Sequence, residues 1–156
     1  MLPGAQYLQN IHPLVIHFPI AFLMGAALFY FAAWITQKED FAKAGFWILL
    51  LGALSLAISI GTGLYAEQGV MVHLSVRDKI LQPHKNYMIA TAVLCFIITV
   101  WALIQRPFPR KGRIAFLVLI LLMIGTMTVG ADFGGRLVYN YNAGGNACPQ
   151  PIKFTK

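Results

Sequence analysis

The hydrophobic and polar positions of this chain alternate on a scale of about twenty residues. Four apolar runs, at about 13–36, 45–66, 86–105 and 114–131, contain no charged residue and are separated by polar connections. A helix that spans a bilayer needs about 20 consecutive apolar residues, so each run predicts a transmembrane helix. The pattern therefore predicts an all-α membrane protein, with a four-helix bundle over residues 1–139 and an extended extracytoplasmic tail over 140–156.

Composition supports this class. Hydrophobic residues make up 58% of the 156 positions and charged residues only 11%, whereas soluble domains carry about a quarter charged residues. The net charge of +7 comes mainly from Lys and Arg in the short connections, so membrane topology explains it better than nucleic-acid binding. The chain has no P-loop, GxSxG or HExxH pattern, and we expect a subunit of an electron-transfer system rather than a stand-alone enzyme.

The distribution of Lys and Arg predicts the orientation. The connections at 37–44 and 106–113 carry six of these residues, the longer connection at 67–85 carries three, and the N-terminal segment carries none. The positive-inside rule places the first two connections in the cytoplasm. We therefore expect a multi-pass protein of the bacterial inner membrane, N-out/C-out, with both termini in the periplasm.

All the histidines of the chain fall at this predicted outer face. They are His12, His17, His73 and His84. An imidazole within a membrane segment is costly unless it is bonded, and it is a functional candidate by default. His12 and His84 each adjoin a proline that can begin a helix. The positive end of a helix disfavours the imidazolium, and the neutral ring is the form that ligates iron, copper or zinc.

We predict that His17 and His84 are the axial ligands of a b-type haem, with a quinone as a second candidate cofactor. The first and third helices of an up-down bundle are diagonal or adjacent, and cofactors of such bundles lie in the core between facing helices. His12 ranks lower, as a hydrogen-bonding partner or a ligand of a further centre. His73 also ranks lower, because it lies in a loop. Pro19 lacks a backbone donor and should bend the first helix beside His17.

Other residues carry less specific signals. Asp132 and Arg136 are spaced to form an ion pair on a helix, and Arg136 is the better candidate for binding a haem propionate or a quinol headgroup. Glu67 is interpreted as a carboxylate that reaches toward solvent. Cys95 lies within an apolar run and Cys148 in the tail, so the two should not meet, and the role of Cys148 stays open. The absence of a CxxCH motif excludes covalent haem attachment to this chain.

Two other functions remain open at this stage. One is a structural or assembly subunit in which the histidines bond to backbone and lipid headgroups. The other is a copper or zinc site at the periplasmic face, made by the same four imidazoles. Small residues on the second run, among them Gly52, Gly61 and Gly63, would permit either close helix packing or room for a flat ring.

The opening His12-Pro13-Leu14-Val15-Ile16-His17-Phe18-Pro19-Ile20 resembles the HPxxVHFPI motif of the membrane family called domain of unknown function 2231. Gly61-Thr62-Gly63, His84 and Gly134-Gly135-Arg136-Leu137-Val138-Tyr139 are similar to its other marks. The resemblance implies a four-helix membrane protein that works beside c-type cytochromes or other redox modules. His73 lies outside that pattern.

Histidines on one face cannot build the paired haems of a chain that carries electrons across a bilayer. We therefore expect electron transfer at the outer face, between a quinol or another redox membrane subunit and an extracytoplasmic cytochrome.

Overall fold

The computed structural model describes residues 11–68 and 74–141, and all the secondary structure in these ranges is helical. Six α-helices follow in order, with one π-helical segment between the fourth and the fifth. They are α1 (His12–Val15), α2 (His17–Thr36), α3 (Glu39–Glu67), α4 (Leu74–Val76), the π-helical segment Arg77–Leu81, α5 (Gln82–Ile104) and α6 (Arg113–Tyr141).

These helices form four membrane spans, as the apolar pattern predicts. The spans are His12–Thr36, Glu39–Glu67, Leu74–Ile104 and Arg113–Tyr141, and their 25 to 31 residues are long and apolar enough to cross a membrane. At about 1.5 Å per residue, each exceeds the roughly 30 Å of a hydrocarbon core. The helices run beyond the apolar runs, because polar turns at their ends continue the backbone hydrogen bonding into the interface.

Two of the spans contain local irregularities beside prolines. The first span is interrupted at Ile16, where α1 ends and α2 begins. Pro19 has no N–H to donate to the carbonyl of Val15, which accounts for the broken pattern at this turn. In the third span the π-helical segment ends at Leu81, two residues before Pro83, and a wider turn accommodates the missing donor of a proline.

The four spans are arranged in sequence order around the bundle. The closest packing is within two hairpins, α2 with α3 and α5 with α6, and the hairpins meet where α2 lies beside α6 and α3 beside α5. Within the described ranges, α2 and α5 share no such contact, so the first and third spans are diagonal. Glycines allow the hairpin helices to approach, since a Cβ on Gly52 would lie 2.6 Å from Leu23 Cδ2.

The two ends of the bundle differ in chemistry. At one end, here called the arginine end, Tyr30, Phe108 and Phe116 form an aromatic core, with the Tyr30 and Phe116 rings 5.0 Å apart. The opposite end, here called the histidine end, comprises the start of α1, the C-terminal part of α3, the start of α5 and the C-terminal part of α6. Much of the outer surface is apolar, with Leu28 70% and Ile104 75% exposed, as helices that face lipid require.

Candidate functional site at the histidine end

His12 is held against the end of α3 by a threonine. Its Nδ1 atom lies 3.1 Å from Thr62 Oγ1, and that hydroxyl donates its own hydrogen to the carbonyl of Ser59 at 3.0 Å. Because the hydroxyl hydrogen is used in this way, Thr62 Oγ1 accepts a hydrogen bond from His12. This arrangement suits the tautomer of His12 in which Nδ1 is the donor.

Gly63 provides the space for this ring. A Cβ atom on Gly63 would lie 2.9 Å from Cε1 of His12, closer than real Cβ contacts. The neighbouring Gly61 has nothing within 4 Å of the same position. Within Gly61-Thr62-Gly63, Thr62 therefore orients the imidazole by a hydrogen bond, and the missing side chain of Gly63 leaves the space that the ring occupies.

His84 is held in the same way on the other hairpin, by a hydrogen bond and by close contact with a glycine. Its Nδ1 atom lies 2.7 Å from the carbonyl oxygen of Gly130 on α6. A carbonyl oxygen only accepts, so Nδ1 donates this hydrogen bond. A Cβ atom on Gly134 would lie 3.0 Å from Cε1 of His84. Each histidine is therefore bonded through Nδ1 to an acceptor on the neighbouring helix and packed against a glycine of that helix.

His12 and His84 lie at the same end of the bundle. Both side chains are half-buried, and the two rings are near enough to interact electrostatically. They belong to diagonal spans, on opposite sides of the bundle. His17, which the sequence analysis paired with His84, has an exposed side chain five residues further along the first span. His73 lies outside the described residues.

A buried hydroxyl adjoins the His12 position. Ser59 lies one turn before Gly63 on the same face of α3, it is 4% exposed, and its Oγ atom has no hydrogen-bond partner within the part of the chain that the structure describes. Its carbonyl contacts the His12 ring as well as Thr62. A buried hydroxyl without a hydrogen-bond partner is uncommon in folded proteins.

Aromatic and charged side chains continue the site along α6. The rings of Tyr87 and Phe133 are stacked at 6.0 Å, and the Arg136 guanidinium lies over Phe133 at 5.7 Å. Arg136 Nη2 also pairs with Asp132 Oδ2 at 2.7 Å, so the i,i+4 ion pair expected from the sequence is present. Arg136 has five N–H donors, and this pair leaves it able to bind a further anion.

The structure corrects the interpretation of Glu67 as a carboxylate that reaches toward solvent. Its Oε1 atom pairs with Lys85 Nζ at 2.9 Å, and the two side chains are only 22% and 32% exposed. The carboxylate thus joins the end of α3 to the start of α5 instead of reaching toward solvent. Sequence reasoning missed this pair because its partners are 18 positions apart on different helices. The sequence offers one indirect signal for this ion pair, which is that Lys85 directly follows the candidate ligand His84.

Within residues 11–68 and 74–141, no group of three or more His, Cys, Asp or Glu side chains is arranged to hold a metal ion. Cys95 is buried at 2% exposure in α5, and Cys148 lies outside the described residues.

The fold and this site define a four-helix membrane protein whose diagonal spans present two oriented imidazoles at one end. The chain belongs to the DUF2231 family of predicted membrane proteins, whose profile matches residues 8–147. This agrees with the resemblance seen in the sequence motifs. No curated protein and no solved structure is similar enough to this chain to count as a match.

Proposed function

We propose that this protein is a membrane haem b protein that exchanges electrons at the histidine end, and that His12 and His84 are its axial ligands. The observation that carries the proposal is the matched orientation of the two rings, each donating Nδ1–H to an acceptor on a neighbouring helix. Histidines that ligate metals nearly always donate their other ring nitrogen in this manner. The bound haem would supply one-electron chemistry, and the protein would supply its ligands and surroundings.

Among the described residues two imidazoles are oriented in this way, and that number favours haem over a simple metal ion. Zinc takes three or four protein ligands, whereas haem iron receives four nitrogens from the porphyrin and needs at most two more. His12 and His84 complete that requirement. His12 takes the place of His17 in this ligand pair, because the His12 ring is hydrogen-bonded and packed against α3, whereas His17 is exposed.

The remaining side chains have supporting roles in this proposal. Gly63 and Gly134 fix the depth of the two rings, and the buried Ser59 hydroxyl marks a polar position within the same site. Arg136 stays the candidate for pairing with a haem propionate.

The location of the site indicates the partners. Both imidazoles lie at one end of the bundle, so electrons would enter and leave there, from a quinol or redox membrane subunit to a c-type cytochrome. The six Lys and Arg of the connections at 37–44 and 106–113 belong to the opposite end, which favours a periplasmic histidine end in a bacterial inner membrane with both termini outside.

The decisive experiment is a reduced-minus-oxidised visible spectrum of the protein purified in detergent, with haem quantified per chain. We expect a low-spin b-type spectrum at about one haem per chain, since one pair of imidazoles serves one iron. His12→Ala and His84→Ala should each abolish the low-spin spectrum. His17→Ala and His73→Ala should retain it.

Two other results would change the ligand assignment or overturn the haem. Loss of the spectrum in His17→Ala with retention in His12→Ala would restore the pair expected from the sequence alone. Folded protein that is colourless after expression with ample haem would overturn the haem proposal.

A structural subunit is the second candidate, and one observation favours it. Each imidazole already bonds to the neighbouring helix of its own hairpin, His12 to Thr62 and His84 to Gly130. Such bonds alone can hold helices together in a membrane. In that case asparagine, which also offers a side-chain N–H, should replace either histidine with little loss of stability, and the purified protein should be colourless.

A further inference from the structure

A cationic cavity lies at the arginine end, as far from the two imidazoles as the bundle allows. Its volume is about 320 Å³ and it opens between the first and third connections. Four cationic side chains line it, Lys38, Arg106, Arg110 and Arg113, with a single carboxylate from Glu39. The Glu39 carboxylate also pairs with Lys43 at 3.3 Å, which further reduces its influence on the cavity.

The innermost arginine is fixed in place. Arg113 Nε donates to the carbonyl of Pro109 at 3.1 Å, and Nη1 donates to Gln37 Oε1 at 3.2 Å. Its guanidinium also lies 5.3 Å from the centre of the Phe108 ring. These contacts come from both connections, so the same interactions that close this end of the bundle hold a positive charge at the cavity wall.

The two outer arginines keep donors for a ligand. Arg106 Nε donates to the carbonyl of Leu103 at 3.2 Å, which uses one of the five N–H groups of a guanidinium. Arg110 adjoins it and lines the same cavity. Guanidinium groups bind the oxygens of a phosphate in pairs, with defined geometry.

The helix termini at this end add to the positive potential. The 29-residue helices α3 and α6 begin at Glu39 and Arg113, which both line the cavity. No side chain caps the start of α3. The N-terminus of a helix presents backbone N–H groups and a partial positive charge, and both favour an anion.

An apolar surface continues directly from the cavity. A second cavity of about 230 Å³ shares Arg106 and Arg110 and is also lined by Ile104, whose side chain is 75% exposed on the lipid-facing side of α5. A ligand at the two arginines would therefore have charged groups on one side and hydrocarbon-facing surface on the other. That combination suits a lipid better than a free ion.

We propose that the arginine end binds the headgroup phosphate of an anionic phospholipid, with Arg106 and Arg110 as the principal phosphate contacts and an acyl chain against α5 near Ile104. Basic pockets of membrane proteins at the cytoplasmic side bind anionic headgroups by these interactions. The proposal is independent of the haem, since it uses none of the residues at the histidine end.

Native mass spectrometry of the detergent-purified protein tests this site. Phosphatidylglycerol and phosphatidylcholine are offered at equal concentration, and we expect one phosphatidylglycerol to be retained preferentially. Arg106→Gln and Arg110→Gln should each weaken its retention about fivefold, the effect of one charge near an anionic headgroup. Arg77→Gln, which removes an exposed arginine on the π-helical segment before α5, should leave it unchanged.

Two controls separate this site from simpler explanations. Excess inorganic phosphate should not displace the bound phosphatidylglycerol, and full displacement would identify a free-phosphate site and overturn the proposal. An equal loss in Arg77→Gln would show attraction by net charge alone and would also overturn it. If the arginine variants fail to fold, the wild-type preference decides, because equal retention of the two lipids would show that the site does not select an anionic phospholipid and would overturn the proposal.

Discussion

The imidazole of His12 lies against the backbone of Gly63, so closely that a methyl group on this glycine would be 2.9 Å from Cε1. His84 and Gly134 repeat this relationship on the other hairpin at 3.0 Å. Two histidines on diagonal spans are thus positioned by the same combination of a hydrogen-bond acceptor and a missing side chain. The repetition supports the proposed role of the two rings as a matched pair of ligands.

The first prediction concerns these glycines. Gly63→Ala and Gly134→Ala should each displace the adjacent imidazole and lower the free energy of unfolding by about 1–3 kcal/mol, the usual cost of overpacking. Thermal unfolding in detergent measures the stability, and the visible spectrum measures the effect on the proposed haem.

The matched controls lie on the same helices. A Cβ on Gly61 of α3 or Gly125 of α6 would have nothing within 4 Å. Gly61→Ala and Gly125→Ala should therefore leave the imidazoles undisturbed and be neutral or slightly stabilising, because alanine favours a helix over glycine. Equal losses in all four variants would show that the glycines matter for helix flexibility and not for the rings.

The second prediction concerns the ion pair between Glu67 and Lys85. A double-mutant cycle with Glu67→Gln and Lys85→Gln should give a coupling energy of about 1 kcal/mol, at the upper end for ion pairs, because both side chains are mostly buried. The comparison is Glu39 with Lys43, whose side chains are 68% and 56% exposed. That pair should give a coupling of only about 0.3 kcal/mol, and equal couplings would contradict the role assigned to burial.

The third prediction concerns the hydrogen bond between Thr91 and Thr126, whose Oγ1 atoms lie 2.9 Å apart across α5 and α6. Thr91 is fully buried. Thr91→Val keeps the shape and removes the hydroxyl, and it should cost about 0.6 kcal/mol, the average for such bonds between membrane helices.

Thr128 provides the control for this substitution. Its exposed hydroxyl donates to the carbonyl of Ile124 in its own helix. Thr128→Val should leave the midpoint of thermal unfolding within error of the wild type. A larger effect at Thr128 than at Thr91 would contradict the assignment of the interhelical bond.

The fourth prediction concerns the closure of the arginine end. Tyr30 is fully buried and donates its hydroxyl to the carbonyl of Pro107 at 3.1 Å. Tyr30→Phe retains the ring contacts with Phe108 and Phe116, so it should cost only the hydrogen bond, about 1 kcal/mol. Tyr65→Phe, at a side chain that is 77% exposed, should have no measurable effect. An unchanged stability in Tyr30→Phe would show that the aromatic packing alone closes this end.

The features that could be predicted from the sequence are those that depend on residues close to one another along the chain. The four spans follow from uninterrupted apolar runs, since a bilayer requires a fixed length of hydrocarbon-compatible helix. The Asp132 and Arg136 pair follows from the i,i+4 spacing of one helix. The presence of His12 and His84 at the same end follows from the alternating direction of consecutive spans.

The choice of histidine partners depends on lateral packing, which these local rules do not contain. All four spans are apolar on most sides, so hydrophobicity does not rank one neighbour or rotation above another. The diagonal placement of the first and third spans, the contact of His12 with Thr62 and Gly63, and the ion pair of Glu67 with Lys85 therefore emerge only from the tertiary structure. The order of the spans fixes which residues can meet at each end of the bundle. Close approach at small residues and hydrogen bonds between helices select the residues that do meet.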